Sequence, residues 1–188
     1  MKVLLINGSP RKNGNTHIAL SEISRQLEKH GIESEIVWIG VKAVQGCIAC
    51  YKCVSKGQCT FNDVLYQSVR DKLKESDALI VGSPTYYGGP NGSLCALLDR
   101  LFFSGKQDLV NKVWSSVVVC RRGGASTAFQ RLNMYADMSN MIHATSQYWN
   151  IVYGCSPEDT YHDVEGLQVM RTLADNVAWL LKLSLIHI

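Results

Sequence analysis

Two alternating hydrophobic periods constrain this chain more than any other feature of its sequence. Short, continuous apolar and β-branched runs recur, each followed by a polar or glycine-rich loop and a segment whose apolar residues lie three or four apart. This alternation predicts a parallel sheet, buried on both faces, whose strands are joined by helices. The predicted strands are residues 3–6, 34–39, 78–81, 116–120 and a fifth near 148–152.

The helical segments between these strands can be placed from their apolar spacing and end signals. The first spans residues 16–30 and stops at Gly31, and the second starts at a cap provided by Asn62 or Asp63. Three more helices carry apolar stripes at residues 94–102, 129–132 and 170–181. With 188 residues, 46% of them hydrophobic, the chain can bury one substantial core. We therefore predict a single domain over residues 1–183.

Charge and hydropathy narrow the classes of partner. The net charge is only +3, and the 19 basic and 16 acidic residues are scattered, which does not favour nucleic acid. The chain begins with a strand-like run rather than a signal-peptide pattern, and no apolar run approaches the roughly 18 residues of a membrane span. We expect a cytoplasmic protein with no membrane partner, in which thiols stay reduced or bind metal.

The loop after the first strand, Asn7 to Thr16, has the composition of a phosphate cradle. Gly8 and Gly14 permit tight turns, Ser9, Asn15 and Thr16 supply donors, and a helix N-terminus follows. Arg11 can add charge-assisted hydrogen bonds. Five residues separate the two glycines and Asn15 follows the second, so neither a P-loop nor a G-x-G-x-x-G fingerprint is present. An ordinary glycine-rich turn is the structural alternative.

Two further loops follow predicted strands three and four. Residues 83–93, "SPTYYGGPNGS", combine a stiff backbone with the flat rings of Tyr86 and Tyr87, which suits a planar ligand. Residues 121–126, "RRGGAS", offer backbone N–H groups and two guanidinium groups. In an open parallel sheet, ligands bind where such loops gather at the carboxyl ends of the strands. The structural alternative for residues 83–93 is that one tyrosine lies in the core and the other on the surface. For residues 121–126 it is that both arginines are simply solvated.

The motifs "GSPRKNGNT", "GSPTYYGGPNGSLCALLDR" and "RRGG" resemble the flavin loops of the flavodoxin-like NAD(P)H-dependent FMN reductases, a family that includes the iron–sulfur flavoproteins. The resemblance covers about residues 1–183. It implies a doubly wound five-stranded parallel sheet of order 2-1-3-4-5 with helices on both faces, and it implies bound FMN. The phosphate would be held by Ser9, Arg11, Asn15 and Thr16. The ribityl chain and ring would be contacted by Pro84, Thr85, Tyr86, Tyr87 and Gly88, and by Arg121, Arg122, Gly123 and Gly124.

The resemblance also implies an enzyme that needs no catalytic side chain, because N5 of the flavin is the reacting atom. NAD(P)H would reduce FMN, and a quinone, azo dye, nitro compound or free flavin would then take the electrons. Relatives imply a homodimer or homotetramer. The acceptor, the preference between NADH and NADPH and the oligomeric state stay open. A flavodoxin-type carrier passing single electrons between proteins is an alternative, although carriers are commonly acidic. A flavin sensor without turnover is another.

Four of the seven cysteines lie in an insert at residues 45–63. The spacing C-x2-C-x2-C-x5-C of Cys47, Cys50, Cys53 and Cys59 resembles the compact motif of the iron–sulfur flavoproteins and can hold a [4Fe–4S] cluster. Zinc matches less well, since separated C-x2-C pairs or a histidine are usual. Free thiols that shape a loop or an interface are the other reading.

The end of the chain, residues 184–188, is expected to be a tail of doubtful origin with no function. The last six residues, "LSLIHI", carry no cap or polar face. One reading frame of a transposon-end adapter used for sequencing libraries spells the same hexapeptide.

Overall fold

The computed structural model describes residues 1–186, with side chains described through residue 183. Six helices are present among these residues: α1 (Asn15–Lys29), α2 (Lys52–Lys56), α3 (Val64–Lys74), α4 (Gly92–Ser104), α5 (Ala125–Asp137) and α6 (Val164–Ile186). The strands are β1 (Lys2–Asn7), β2 (Glu33–Trp38), β3 (Ala78–Tyr86), β4 (Gly89–Pro90), β5 (Val113–Cys120), β6 (Ile142–His143) and β7 (Ile151–Tyr153).

The sheet has the predicted parallel order. β2 pairs with β1, β1 with β3 and β3 with β5, all in parallel, and β6 and β7 both add to the outer side of β5. Counting only the predicted strands, this is the order 2-1-3-4-5. The predicted α/β class and doubly wound topology are therefore confirmed, with a strand count of seven instead of five.

The predicted fifth strand is wrong in detail, because two short pieces take its place. β6 pairs with the first residues of β5 and β7 with its last. Between them the amide of Asn150, which is buried, donates to the Ser115 hydroxyl (3.0 Å) and the Ser116 carbonyl (3.1 Å). Side-chain hydrogen bonds thus satisfy the middle of β5 where a continuous partner strand was expected.

Two hydrophobic clusters cover the two faces of the sheet. One face packs under α3, α4 and α5, where Tyr66, Leu98 and Leu132 are fully buried. The other packs under α1 and α6, where Ile23, Leu27 and Leu173 are fully buried. Strands covered on both faces need apolar side chains at every position, which explains their continuous hydrophobic runs. Within residues 1–186, no helix is long and apolar enough to cross a membrane.

The insert and the chain end also differ from the prediction. The short helix α2 lies inside the cysteine insert, where no helix was expected. Asp63, one of the two proposed caps, accepts a hydrogen bond from the Tyr66 amide (3.0 Å) and caps α3. Helix α6 continues through Ile186, so the predicted tail begins as helix, and residues 187–188 lie outside the described residues.

A close contact joins β1, β3 and α4 at the carboxyl edge of the sheet. The Gly8 amide donates to the Gly82 carbonyl at 2.8 Å. A Cβ atom on Gly8 would lie 2.6 Å from Leu94 Cδ2 and 2.9 Å from the Gly82 carbonyl oxygen. Because the second contact is with backbone, it cannot be relieved by side-chain rotation.

We expect Gly8→Ala to destabilise the protein by about 1–3 kcal/mol through overpacking. Chemical denaturation of the flavin-free protein measures the effect. Gly92→Ala is the matched control, because Gly92 begins α4 and a Cβ there meets nothing within 4 Å. The control should be neutral or stabilising by up to about 1 kcal/mol. Equal unfolding midpoints for Gly8→Ala and the wild type would contradict the expectation.

Candidate cofactor site at the carboxyl edge of the sheet

The loop between β1 and α1 is held in shape by its own polar groups. The Asn7 side chain accepts from the Ser9 amide (3.0 Å) and donates to the Lys12 carbonyl (2.9 Å). The Arg11 amide donates to the Ser9 hydroxyl oxygen (3.1 Å). From β2, the Trp38 indole donates to the Ser9 carbonyl (2.7 Å). The loop is therefore formed before any ligand enters.

This loop presents hydrogen-bond donors to its centre. The first intrahelical bond of α1 runs from the Ile18 amide to the Gly14 carbonyl, so the amides of residues 15–17 precede it and are available to an anion. The Ser9 hydroxyl accepts from Arg11 and keeps its own proton to donate. Burial and the nearby Lys12 charge lower the pKa of His17, which favours its neutral imidazole.

A segment that the sequence did not single out, residues 154–160, forms one wall of the loop. The Asn15 side chain donates to the Ser156 carbonyl (2.8 Å) and accepts from the Thr160 amide (3.4 Å). The Arg11 guanidinium reaches the Cys155 carbonyl (3.4 Å). Asn15 is thus a strut between two loops, and its backbone N–H is the group it can offer a phosphate. None of these three contacts has a sequence signal, because each joins residues more than 140 positions apart.

The second predicted loop is a β-hairpin that the sequence did not predict. β3 runs to Tyr86, and β4 returns antiparallel to it. The two turn residues, Tyr87 (φ 51°) and Gly88 (φ 77°), both have positive φ, as a type I′ turn requires. Tyr87 is fully exposed despite its size, and Tyr86 is half-exposed. A large non-glycine residue held in this conformation is typical of functional sites.

The hairpin contains a buried hydroxyl without a partner, on Thr85 of β3. Thr85 Oγ1 is shielded from solvent and makes no hydrogen bond with the described residues. Its neighbour Ser83, in contrast, accepts from the Asn91 amide (2.9 Å) and donates to the Pro84 carbonyl (2.8 Å). Buried polar atoms are normally paired, so the Thr85 hydroxyl fits a polar atom of a bound ligand.

The third predicted loop touches the second. Gly124 has a φ of 81°, and a Cβ atom there would lie 3.0 Å from the Gly88 Cα atom. Both positions therefore need glycine. Gly124 needs it for its positive φ and its close contact, and Gly88 needs it for its place in the turn. Arg121, Arg122 and Gly123 precede it and are exposed, and the two arginines form no ion pair with residues 1–183.

The structure thus gathers the predicted flavin residues along one edge of the sheet. All lie at or just after the carboxyl ends of β1, β3 and β5, which are adjacent strands. They are Ser9, Arg11, Asn15 and Thr16 in the first loop, Pro84, Thr85, Tyr86, Tyr87 and Gly88 in the second, and Arg121, Arg122, Gly123 and Gly124 in the third. Trp38 and residues 154–160 belong with them as supports.

The four insert cysteines line one common pocket on the far side of α4 from the sheet core. Cys47 and Cys50 are exposed, whereas Cys53 and Cys59 are half-buried. Cys50 lies between Ala49 (φ 51°) and Tyr51 (φ 57°), two non-glycine residues in the left-handed region. This unusual backbone turns the chain sharply on both sides of Cys50, so that neighbouring thiols can face the same pocket.

The pKa shifts and spacing of these thiols bear on which metal centre the pocket could hold. A backbone N–H from Lys52 lowers the pKa of Cys50, whereas burial raises the pKa of Cys53. Among residues 1–183, no three histidine, cysteine or acidic side chains converge tightly enough for a single metal ion. A [4Fe–4S] cluster binds four separate thiolates on four different irons, so its ligands stand farther apart. The cavity between the thiols measures about 20 Å³.

Comparison with known proteins agrees with this geometry. The sequence profile of a family described as NADPH-dependent FMN reductase matches residues 1–154. The chain is 35% identical to an iron–sulfur flavoprotein of Methanocaldococcus jannaschii over 97% of this chain and 98% of that protein. Among solved structures, RosB with a bound 8-demethyl-8-formylriboflavin-5′-phosphate intermediate superposes with a TM-score of 0.76 at 17% identity, covering 97% of this chain and 79% of that one. A flavodoxin from the domain Archaea superposes with a TM-score of 0.64 at 16% identity, over 97% and 99% of the two chains.

The flavodoxin-like sheet, with three predicted ligand loops at its carboxyl edge, and the family match together define the class: an FMN-dependent oxidoreductase. Within that class, this chain belongs to the NADPH-dependent FMN reductase family. The predicted family, fold, enzyme class and FMN cofactor are confirmed. The individual contacts of the thirteen predicted flavin residues stay predictions.

The unpartnered Thr85 hydroxyl allows a test of the flavin site. We expect Thr85→Val to weaken FMN binding roughly fivefold, because one net hydrogen bond is worth about 1 kcal/mol. The flavin-free variant should be no less stable than the wild type, since the lost hydroxyl has no partner in the protein. Fluorescence titration of the apoprotein with FMN measures the affinity.

Thr145→Val is the control, because Thr145 is exposed and follows β6, which pairs with the first residues of β5 rather than with its carboxyl end. Unchanged FMN affinity in Thr85→Val, or an equal loss in both variants, would place the flavin elsewhere.

Proposed function

We propose that this chain catalyses hydride transfer from NADPH to FMN held by the three loops, followed by reduction of a small acceptor. The observation that carries the proposal is the hairpin of the second loop. It carries an unpartnered buried hydroxyl, Thr85, two residues before a fully exposed tyrosine, Tyr87, and it packs against the third loop at Gly124. This combination fits a flat ligand with polar edges that remains open to solvent on one side.

Each loop has a distinct task in this proposal. The Ser9 hydroxyl, the amides of residues 15–17 and the Arg11 guanidinium bind the phosphate, with the dipole of α1 adding to the attraction. Thr85 hydrogen-bonds the flavin, and Tyr87 shields part of it from water. Backbone N–H groups near Gly88 and Gly123 stabilise negative charge on the ring. When bound, FMN accepts hydride at N5 and passes electrons on, so no catalytic side chain is needed.

The solvent-exposed side of the hairpin is where a substrate can reach the bound flavin. Tyr86 and Tyr87 are exposed, so NADPH and an acceptor can use the same face in turn. The acceptor class is a small planar molecule such as a quinone, azo dye, nitro compound or free flavin. Arg121 and Arg122 are exposed and unpaired within the described part of the chain, which suits the 2′-phosphate of NADPH.

Rapid mixing tests the first half-reaction. We expect NADPH, added without oxygen to the FMN-loaded protein, to bleach the flavin absorbance within a single turnover. We expect Arg121→Ala with Arg122→Ala to slow reduction by NADPH more than reduction by NADH, since only NADPH carries the extra phosphate. Stopped-flow absorbance measures both rates. A flavin that stays oxidised with both nucleotides would refute hydride transfer, and it would favour a carrier reduced by a protein partner.

A second candidate function is supported by the cysteine pocket. Cys47, Cys50, Cys53 and Cys59 line one cavity, and the insert backbone is shaped around them. The Methanocaldococcus relative carries the name iron–sulfur flavoprotein. We propose that these four thiolates hold a [4Fe–4S] cluster, which would allow the enzyme to exchange single electrons with its acceptor.

Iron and acid-labile sulfide analysis of protein purified without oxygen tests this proposal. We expect about four irons and four sulfides per chain, because a cubane with four cysteine ligands has that composition. Cys50→Ser should lose most of the iron and keep its FMN. Cys155→Ser is the control, because Cys155 is exposed but lies outside the pocket. Wild-type protein that contains FMN but no iron would refute the cluster. The four cysteines would then be free thiols that shape the insert.

The expected homodimer or homotetramer also stays a proposal. It is supported by Phe103, Met134 and Met138, apolar side chains that line one groove and are exposed in the single chain. Light scattering of the FMN-loaded protein gives the mass directly.

A further inference from the structure

A buried arginine in α4 is the least expected charged group in the molecule. The Arg100 side chain is fully shielded from solvent in the wall of the cysteine pocket. Removing a guanidinium from water is costly unless its donors are paired and its charge is balanced. A charge buried at this cost points to a role other than stability.

The contacts of Arg100 lie at the two ends of the cysteine run. Its Nη1 donates to the Gln45 carbonyl (3.2 Å), and its Nη2 donates to the Phe61 carbonyl. Gln45 precedes Cys47 by two residues, and Phe61 follows Cys59 by two. One rigid guanidinium thus fixes the entry and the exit of the chain that carries all four thiols. A lysine could not do this, because its ammonium group is a single point donor.

Arg100 also contacts the start of α3. Its guanidinium stacks on the Tyr66 ring at 4.7 Å and pairs with Asp63 Oδ2 at 2.6 Å. Asp63 is about half-exposed, so water screens its charge, whereas the guanidinium is not screened from the pocket. Arg100 Nε has no hydrogen-bond partner in the described residues. Arg100 lines the pocket and Asp63 does not, so the member of this ion pair that borders the four thiols is the positive one.

We propose that Arg100 is a positioning residue of the four-cysteine site: it fixes both ends of the insert and sets a buried positive charge beside an anionic iron–thiolate cluster. The inference rests on the proposed cluster function of the insert. A nearby positive charge stabilises the more negative, reduced state of a cluster, so it raises the reduction potential. Its removal should make the cluster harder to reduce.

The chain offers a matched control in Arg70. This arginine is also buried, also binds the insert, through Gln58 (3.2 Å) and the Gly57 carbonyl, and also has an unpartnered Nε. It pairs with Asp108 at 3.7 Å and does not line the cysteine pocket. Arg70 therefore shares the anchoring role and lacks the position beside the thiols.

The test compares wild type, Arg100→Gln, Arg100→Lys and Arg70→Gln, each reconstituted with iron and sulfide in the absence of oxygen. The midpoint potential of the cluster is read by EPR during a redox titration, and FMN in the same sample serves as the internal reference. We expect a more negative cluster potential in Arg100→Gln and an unchanged flavin potential. Arg100→Lys should keep most of the potential and hold less iron, because it keeps the charge and loses one anchor. Arg70→Gln should keep the potential.

The outcomes separate the two proposals. Equal potentials in Arg100→Gln and the wild type, or equal shifts in Arg100→Gln and Arg70→Gln, would overturn the role of Arg100 and leave the cluster in place. Wild-type protein that takes up no iron would overturn both. Because FMN binding is measured in every variant, a misfolded protein is recognised by the loss of its flavin, and Arg100→Lys then carries the comparison.

Discussion

The hydrogen bond between Gly8 and Gly82 is the contact on which the flavin edge of this protein depends. It brings the ends of β1 and β3 together at a point where neither residue has a side chain, and Leu94 of α4 fills the space above Gly8. A Cβ atom on Gly82 would also meet Thr16 and Leu20 at 2.9 Å, so α1 sits equally close on the other face. Two glycines without Cβ atoms, Gly8 and Gly82, therefore allow the first two loops to pack directly against α1 and α4.

From this contact, the helix α4 links the two proposed redox sites. Its N-terminus is capped by Asn91, whose side chain accepts from the Ser93 amide (2.8 Å) and whose own amide binds Ser83 in the flavin loop. Eight residues after Gly92, the first residue of α4, and about 12 Å along the axis at 1.5 Å per residue, the same helix carries Arg100 into the cysteine pocket. The buried leucines between these points make α4 a rigid spacer, because their packing fixes its position on the sheet.

The insert shows why burial of charge is informative. Arg100 and Arg70 are both removed from water, and both bind carbonyl groups of residues 45–63. Such groups stabilise a structure less than apolar packing would, so their presence points to a requirement other than stability. Three of the larger apolar side chains of the insert, Ile48, Tyr51 and Val54, are exposed and do not form a core. Its shape is instead determined by two guanidinium groups supplied by α3 and α4.

Local sequence was sufficient for most of the fold. The alternating periods predicted the parallel sheet and its helices, and glycine-rich loops after three strands predicted where a ligand would bind, because strand ends in a parallel sheet share one edge. The split of the fifth strand at Asn150, the type I′ turn at Tyr87 and the strut from Asn15 to residues 154–160 were not predicted. Each depends on a contact or a backbone conformation that no local pattern encodes. The spacing of the four cysteines could be read from the sequence. Only the tertiary structure decided that a buried arginine of α4 holds both ends of the cysteine run. Residues 45, 61 and 100 are distant along the chain, and packing alone brings them together.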